Sequence, residues 1–150
     1  MANYKRLFLA GHSYYITIVT HGREAILVDN IALLRESFQE SKYHYNYSID
    51  AIVILPDHIH MIITPENANE YPKIIHAIKY NFSKRYQNND LMQSSSRYQR
   101  KIRAVWQKRY YEHTIRNEKD YFRCMEYIQN NPMKHNYIEN GEAWEYLFAP

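Results

Sequence analysis

The sequence predicts an α+β fold, an antiparallel sheet of ferredoxin-like or RRM-like type with helices packed on one face. Three observations predict it. Runs rich in β-branched and aromatic residues alternate with segments of helical periodicity, in the order β-α-β-β-α-β-α followed by a tail. Two strand-like runs are separated only by Pro56-Asp57, the spacing of an antiparallel hairpin. At 150 residues the chain suits one domain built on a single sizeable core, and it shows no internal repeat.

The first strand is Tyr14-Tyr15-Ile16-Thr17-Ile18-Val19-Thr20, closed by the turn His21-Gly22-Arg23. Asp29 or Asn30 can cap a first helix running to about Tyr43, with Ile31, Leu34, Phe38 and Ser41 on one side. Ser48 to Leu55 is a strand whose unbroken apolar run predicts burial on both faces. Pro56-Asp57 breaks it, and His58 to Thr64 forms the next strand. A second helix spans roughly Asn69 to Tyr86, with Ile74, Ile75, Ile78 and Phe82 at helical spacing. The polar stretch up to Arg100, from about Asn88, reads as a flexible loop. Val105 to Ile115 carries a fourth strand. Asn117 caps a third helix that starts near Glu118 and is expected to end before Pro132. The tail, with Trp144, Tyr146, Leu147 and Phe148, is expected to dock on the core.

Composition narrows the class of function. Sixteen Tyr against five Phe supply rings that pack while still offering hydroxyls. A single cysteine, Cys124, excludes an internal disulfide framework and a multi-cysteine zinc site, and fits a reducing cytoplasm. No stretch approaches the roughly 18 apolar residues of a membrane span, so a cytoplasmic location away from membranes is expected. The net charge of +3 says little, but its distribution says more. Lys84, Arg85, Arg97, Arg100, Lys101, Arg103, Lys108 and Arg109 face one acid, Asp90, and are interleaved with Tyr86, Tyr98, Trp106, Tyr110 and Tyr111. Cations for phosphates and flat rings for unstacked bases are what single-stranded nucleic acid requires. Arg97, Arg100, Lys101, Arg103, Lys108 and Arg109 are therefore candidate DNA contacts. On charge alone, a solvated loop accounts for them equally well.

The candidate chemistry starts at His58-Ile59-His60. Residues two apart on a strand share a face, so two imidazoles stand side by side and can share a metal ion. Alone, such a pair is more often a structural or surface feature of its strand. The Asp and His that a His-x-His-x-Asp-His zinc hydrolase needs downstream are absent from Met61-Ile62-Ile63-Thr64. Nor do His58-Ile59-His60 and His113-Thr114-Ile115 have the spacing of a two-histidine phosphoesterase. On the last helix, Tyr121, Met125 and Ile128 form the apolar stripe, and Tyr127 and Asn131 lie one turn apart on an adjacent flank. Without further context, a ring that packs and an amide that caps the helix are the commoner reading of these two.

Four blocks in order carry a resemblance: Tyr15 to Arg23, Leu55-Pro56-Asp57-His58-Ile59-His60, Val105 to Arg116, and Tyr127 to His135. Together they resemble the HUH single-tyrosine (IS200-like) transposases, more specifically the REP-associated tyrosine transposases. The resemblance spans most of the chain and is far more specific than any one block. It implies that His58 and His60 ligate a divalent metal, that the amide of Asn131 completes the shell, and that Tyr127 is the nucleophile. It also implies the same antiparallel sheet with helices, and a substrate of single-stranded DNA near a hairpin or inverted repeat. The implied product is a 5′-phosphotyrosine with a free 3′-hydroxyl. Family members often carry Val and Gly where this chain has Met133 and Asn136, changes that touch no implied ligand.

The implied roles suit these side chains. A phenol ionises near pH 10 in water, so it needs a neighbouring cation or base to act as a nucleophile. Two neutral imidazoles and an amide suit Mg²⁺ or Mn²⁺ as the working ion, although heavier divalent ions bind such ligands more tightly. Two other readings stand beside the enzyme. One is a non-catalytic single-stranded nucleic-acid-binding module, since a sheet with exposed aromatics also describes RNA-binding domains. The other is a domesticated relative that keeps the site without mobilising itself. A homodimer is compatible with either, because the family includes dimers that exchange the tyrosine helix and monomers that do not. His113 reads as a structural histidine, Trp106 as core, and Glu112 as a candidate acid behind the implied ligands.

Overall fold

A computed structural model describes residues 12–88, 105–139 and 141–150. Its elements are β1 (Ser13–Val19), α1 (Ile31–His44), β2 (Tyr47–Ile54), β3 (His58–Pro65), α2 (Tyr71–Asn88), β4 (Tyr111–Ile115), α3 (Glu118–Lys134) and β5 (Leu147–Phe148). The five strands form one antiparallel sheet in the order β4-β1-β3-β2-β5, which is the expected α+β architecture. The part of the polar stretch from 89 to 100 lies outside the described residues, as do Arg97, Arg100, Lys101 and Arg103.

Strand alternation sorts the side chains into two layers. Ile16, Ile18, Ile59, Met61 and Ile63 point to one face, where α1 and α2 close over them with Leu34, Phe38, Ile74, Ile75, Ile78 and Phe82. Tyr15, Ala51, Val53 and Ile62 point to the other face, which receives Cys124, Met125 and Ile128 of α3. The first two helices thus share one face, as expected, while the third covers the opposite side. A sheet with apolar residues on both faces must be covered twice, and this sandwiching sets α3 over the surface that carries His58 and His60.

Local chemistry explains the ends of α3. Asn117 caps it by accepting from the Asp120 amide at 2.8 Å. The helix does not end before Pro132 but runs on to Lys134. A proline costs a helix its own amide bond and crowds the preceding turn, and here that cost falls in the last turn, where the tertiary fold outweighs it. Beyond it, Asn136 adopts φ 63°, Asn136 donates to the Met133 carbonyl at 3.0 Å, and Tyr137 donates to the Pro132 carbonyl at 2.9 Å. These bonds form a Schellman ending, in which the left-handed residue is usually Gly and sometimes Asn.

Other expectations shift in detail. Asn30 precedes α1 without capping it, because its side-chain amide donates instead to the Ile26 carbonyl at 2.8 Å. The fourth strand begins at Tyr111 rather than Val105. The residues before it make one bridge, Thr20 to Trp106, and Trp106 is buried as expected with its indole N–H donating to the Lys79 carbonyl. The tail docks along β2: Ile54 donates to the Tyr146 carbonyl and Trp144 donates to the Ile54 carbonyl, both at 2.9 Å. Phe148 nonetheless stays exposed. No described helix is long and apolar enough to cross a membrane.

Candidate metal centre and tyrosine site

The hairpin turn at Pro56-Asp57 delivers His58 and His60 to the α3 side of β3. Ile59, between them, is fully buried on the other face. The two rings lie 4.8 Å apart and almost perpendicular, and both are buried. Each ring is held by its Nδ1. On His58, Nδ1 lies 2.6 Å from Oδ1 of Asp57, whose other oxygen accepts from Arg23 at 3.3 Å. A carboxylate here accepts the Nδ1 proton and leaves the Nε2 lone pair of His58 free. On His60, Nδ1 lies 2.8 Å from the hydroxyls of both Tyr15 and Thr17, the latter directly across the sheet on β1.

Burial keeps both imidazoles neutral. It pushes His60 down to about 3, helped by the positive potential of His58, His135, Lys134 and Arg23. His58 is also lowered by burial, against the opposing pull of Asp57. Burial alone would raise the Asp57 carboxyl, but its hydrogen bonds to His58 and Arg23 and the Arg23 charge hold it below its ordinary value. Neutral rings with oriented Nε2 atoms are the ligand state a metal requires.

Helix α3 completes the arrangement from above. The Tyr127 ring stands 5.4 Å from that of His60, and the His135 ring stands 5.2 Å from that of His58. Asn131 lies one turn from each, since all three sit at successive four-residue steps. Its side chain is completely buried, yet neither amide atom has a hydrogen-bond partner, and the same holds for His60 Nε2. Buried polar atoms are nearly always paired, because an unpaired one costs about 1–3 kcal/mol. Orphan atoms on two of the three implied ligands are what a cation with its water shell would satisfy. The donor set, two imidazole nitrogens and an amide, fits a divalent ion.

The rings of His58, His60 and Tyr127 therefore meet within one chain, with Asn131 on the facing turn. Tyr127 is 40 % exposed, open to an incoming strand, and Lys134 places its ammonium 4.8 Å from the centre of the phenol ring. Lys108 and Arg109 are exposed, on the approach to β4. Glu112 points to the opposite face, where it accepts from the Tyr71 hydroxyl, so it supports neither His58 nor His60.

Sequence reasoning missed Asp57, Tyr15, Thr17, Lys134 and His135. Asp57 reads as a mere strand breaker, although its place beside His58 was a usable signal. Tyr15 and Thr17 are on the same face as each other by strand period, but only sheet pairing reveals that this face is also that of His60.

A second group of donor atoms, on His113, Asp120 and Cys124, lies within 4.8 Å of one another. It is closed upon itself. His113 Nε2 and Asp120 Oδ2 are 2.7 Å apart, and the same oxygen accepts from the Arg116 amide at 3.3 Å. Burial, with the Asp120 charge, pushes the Cys124 thiol up to about 11, and a protonated thiol is a poor ligand. These three side chains tie β4 to α3.

Comparison with known proteins identifies the family. Residues 9–131 match the family described as "Transposase IS200 like". A Haemophilus influenzae protein named "Putative REP-associated tyrosine transposase" is 36% identical over 148 residues, covering 97% of this chain and 84% of that protein. The REP-associated tyrosine transposase of Escherichia coli is 28% identical over 148 residues, covering 97% and 81%. Among solved structures, a REP-associated tyrosine transposase bound to a REP hairpin superposes with a TM-score of 0.78 at 28% identity, covering 98% of this chain and 82% of that one. A Deinococcus radiodurans protein described as a "putative transposase" shares the fold with a TM-score of 0.53 at 20% identity, covering 94% of this chain and 99% of that one.

Proposed function

The chain belongs to the IS200-like transposase family and is related to the REP-associated tyrosine transposases, a family of DNA transposition; on that premise we propose that it cuts and rejoins single-stranded DNA through a covalent bond to Tyr127, with a divalent metal held by His58, His60 and Asn131. The observation that carries this reading is the contact between Tyr127 and His60 beside orphaned, wholly buried ligand atoms. A module that only bound nucleic acid would have no use for an unpaired amide buried on Asn131.

In the proposed reaction, the Tyr127 oxygen attacks the scissile phosphorus and its proton passes to solvent, to which the ring is open. The bond from phosphorus to the 3′-oxygen breaks, and that oxygen takes up a proton and leaves as a free 3′-hydroxyl. The 5′-phosphate stays esterified to Tyr127. Attack by a second 3′-hydroxyl reverses the exchange, so one ester replaces another and joining needs no ATP. Bound at the ligand set, Mg²⁺ or Mn²⁺ supplies positive charge to the phosphate oxygens. Asp57 orients His58, the hydroxyls of Tyr15 and Thr17 orient His60, and Lys134 holds a positive charge beside the attacking ring. The relative solved with a REP hairpin supports a hairpin-bearing strand as the substrate.

The test is direct. Protein incubated with Mn²⁺ and labelled single-stranded hairpin DNA should yield a denaturant-resistant adduct. Tyr127→Phe should abolish the adduct while leaving DNA binding nearly intact; adducts that persist in the variant would remove Tyr127 from the role of nucleophile.

A further inference from the structure

Beside Tyr127 a cavity of about 540 Å³ opens between β1, β4 and α3, lined among others by Tyr15, Tyr111, His113, Arg123 and Tyr127. That volume lies in the range of small-molecule sites. Its floor is the buried ring of Tyr15. The rings of Tyr111 and Tyr127 each stand 6.1 Å from that floor, at steep angles of 73° and 78°. Tyr111 lines the cavity and is 60 % exposed, so its ring is open to an incoming base. The polar groups are few and placed. His113 is anchored through Nε2 on Asp120, which leaves Nδ1 as an acceptor, and Arg123 makes no hydrogen bond or ion pair among the described residues.

We propose that this cavity receives one nucleobase of the single strand, extruded from its neighbours next to the scissile phosphate, stacked on Tyr111 and edge-bonded by His113 and Arg123. The inference rests on the nuclease reading for its register and adds a subsite to it. An aromatic wall with a donor and an acceptor at the rim matches the chemistry of a base, which has a π-face and a polar edge. Position argues the same way. The nucleophile's own ring lines the cavity, so a base seated there belongs to a nucleotide at the reacting phosphate. Tyr15 links the two sites, because it is the cavity floor and its hydroxyl holds His60 Nδ1. A seated base therefore rests on the residue that steadies a metal ligand.

The experiment separates binding from chemistry. A thymidine decamer with one central 2-aminopurine is titrated, in EDTA, with the Tyr127→Phe protein and with the same protein carrying Tyr111→Ala or Tyr111→Phe. Stacking quenches 2-aminopurine, so the parent and the Phe variant should quench it alike. The Ala variant should quench less and bind roughly tenfold more weakly, the scale of one lost base–aromatic stack. Equal quenching and affinity in the Ala variant, or no binding by the parent, overturns the subsite. If adducts form with native Tyr127 while quenching is indifferent to Tyr111, the subsite is wrong and the nuclease reading stands. If no adduct forms yet quenching depends on Tyr111, the subsite stands and the nuclease reading falls.

Discussion

The ring of Tyr127 meets the ring of His60 almost at right angles, 88° between their planes, with both residues supplied by the same chain. A phenol from α3 and an imidazole from β3 thus come together without help from a second subunit. If the site functions as proposed, a single copy suffices. Mixing His60→Ala protein with Tyr127→Phe protein should then restore no adduct. Substantial recovery in the mixture would mean that the helix is exchanged between two copies.

Asn131 offers a way to separate stability from activity. Its amide is buried without a partner, so Asn131→Leu removes an unpaired polar group and should keep or raise the melting temperature in EDTA. The same change should abolish the rise in melting temperature that Mn²⁺ confers on the parent protein. A Leu variant still stabilised by Mn²⁺ to the parent's extent would exclude Asn131 from the ligand set.

Asp57 is expected to tune the metal without touching it. Asp57→Asn keeps the shape of the side chain but loses the charge that fixes the His58 proton on Nδ1. Changes at such outer positions typically weaken metal affinity about 10- to 100-fold. Isothermal titration with Mn²⁺ measures this, and an unaltered affinity would detach Asp57 from the site.

The depressed ionisation of His60 has a consequence for acid stability. Its folded value of about 3 lies below the ordinary 6.5, so between these limits the unfolded chain binds the extra proton. Stability is therefore complete above pH 6.5 and declines as pH falls toward 3, by up to about 1.4 kcal/mol per pH unit from this one group. Denaturant titrations in EDTA should show a shallower decline for His60→Gln than for the parent. Parallel curves would mean that burial does not hold His60 neutral.

Asn136 tests the ending of α3. Its φ of 63° suits Gly or Asn, so Asn136→Gly should change stability little. Asn136→Val, whose branched side chain resists that conformation, should cost about 1–2 kcal/mol. Equal stability of the two variants, read by denaturant unfolding, would argue against the Schellman ending.

Periodicity made most of the elements legible. The alternation in His58-Ile59-His60 assigns both imidazoles to one face, and Ile74, Ile75, Ile78 and Phe82 mark the buried side of α2, because strand and helix periods are properties of the local backbone. The cap at Asn117 is equally local. Helix ends were less legible, as at Pro132, where a local penalty of known sign was outweighed by packing that no window of sequence contains.

What the sequence determined by itself, then, is which residue types could do chemistry and on which side of their own element they stand. The tertiary structure alone decided which sides meet. Thr17 and Tyr15 reach His60 because β1 pairs with β3 in one register, and Tyr127 reaches it because α3 covers the face that α1 and α2 leave open. Contacts between residues forty or more positions apart depend on how layers close over a shared core, and that closure is a property of the whole chain.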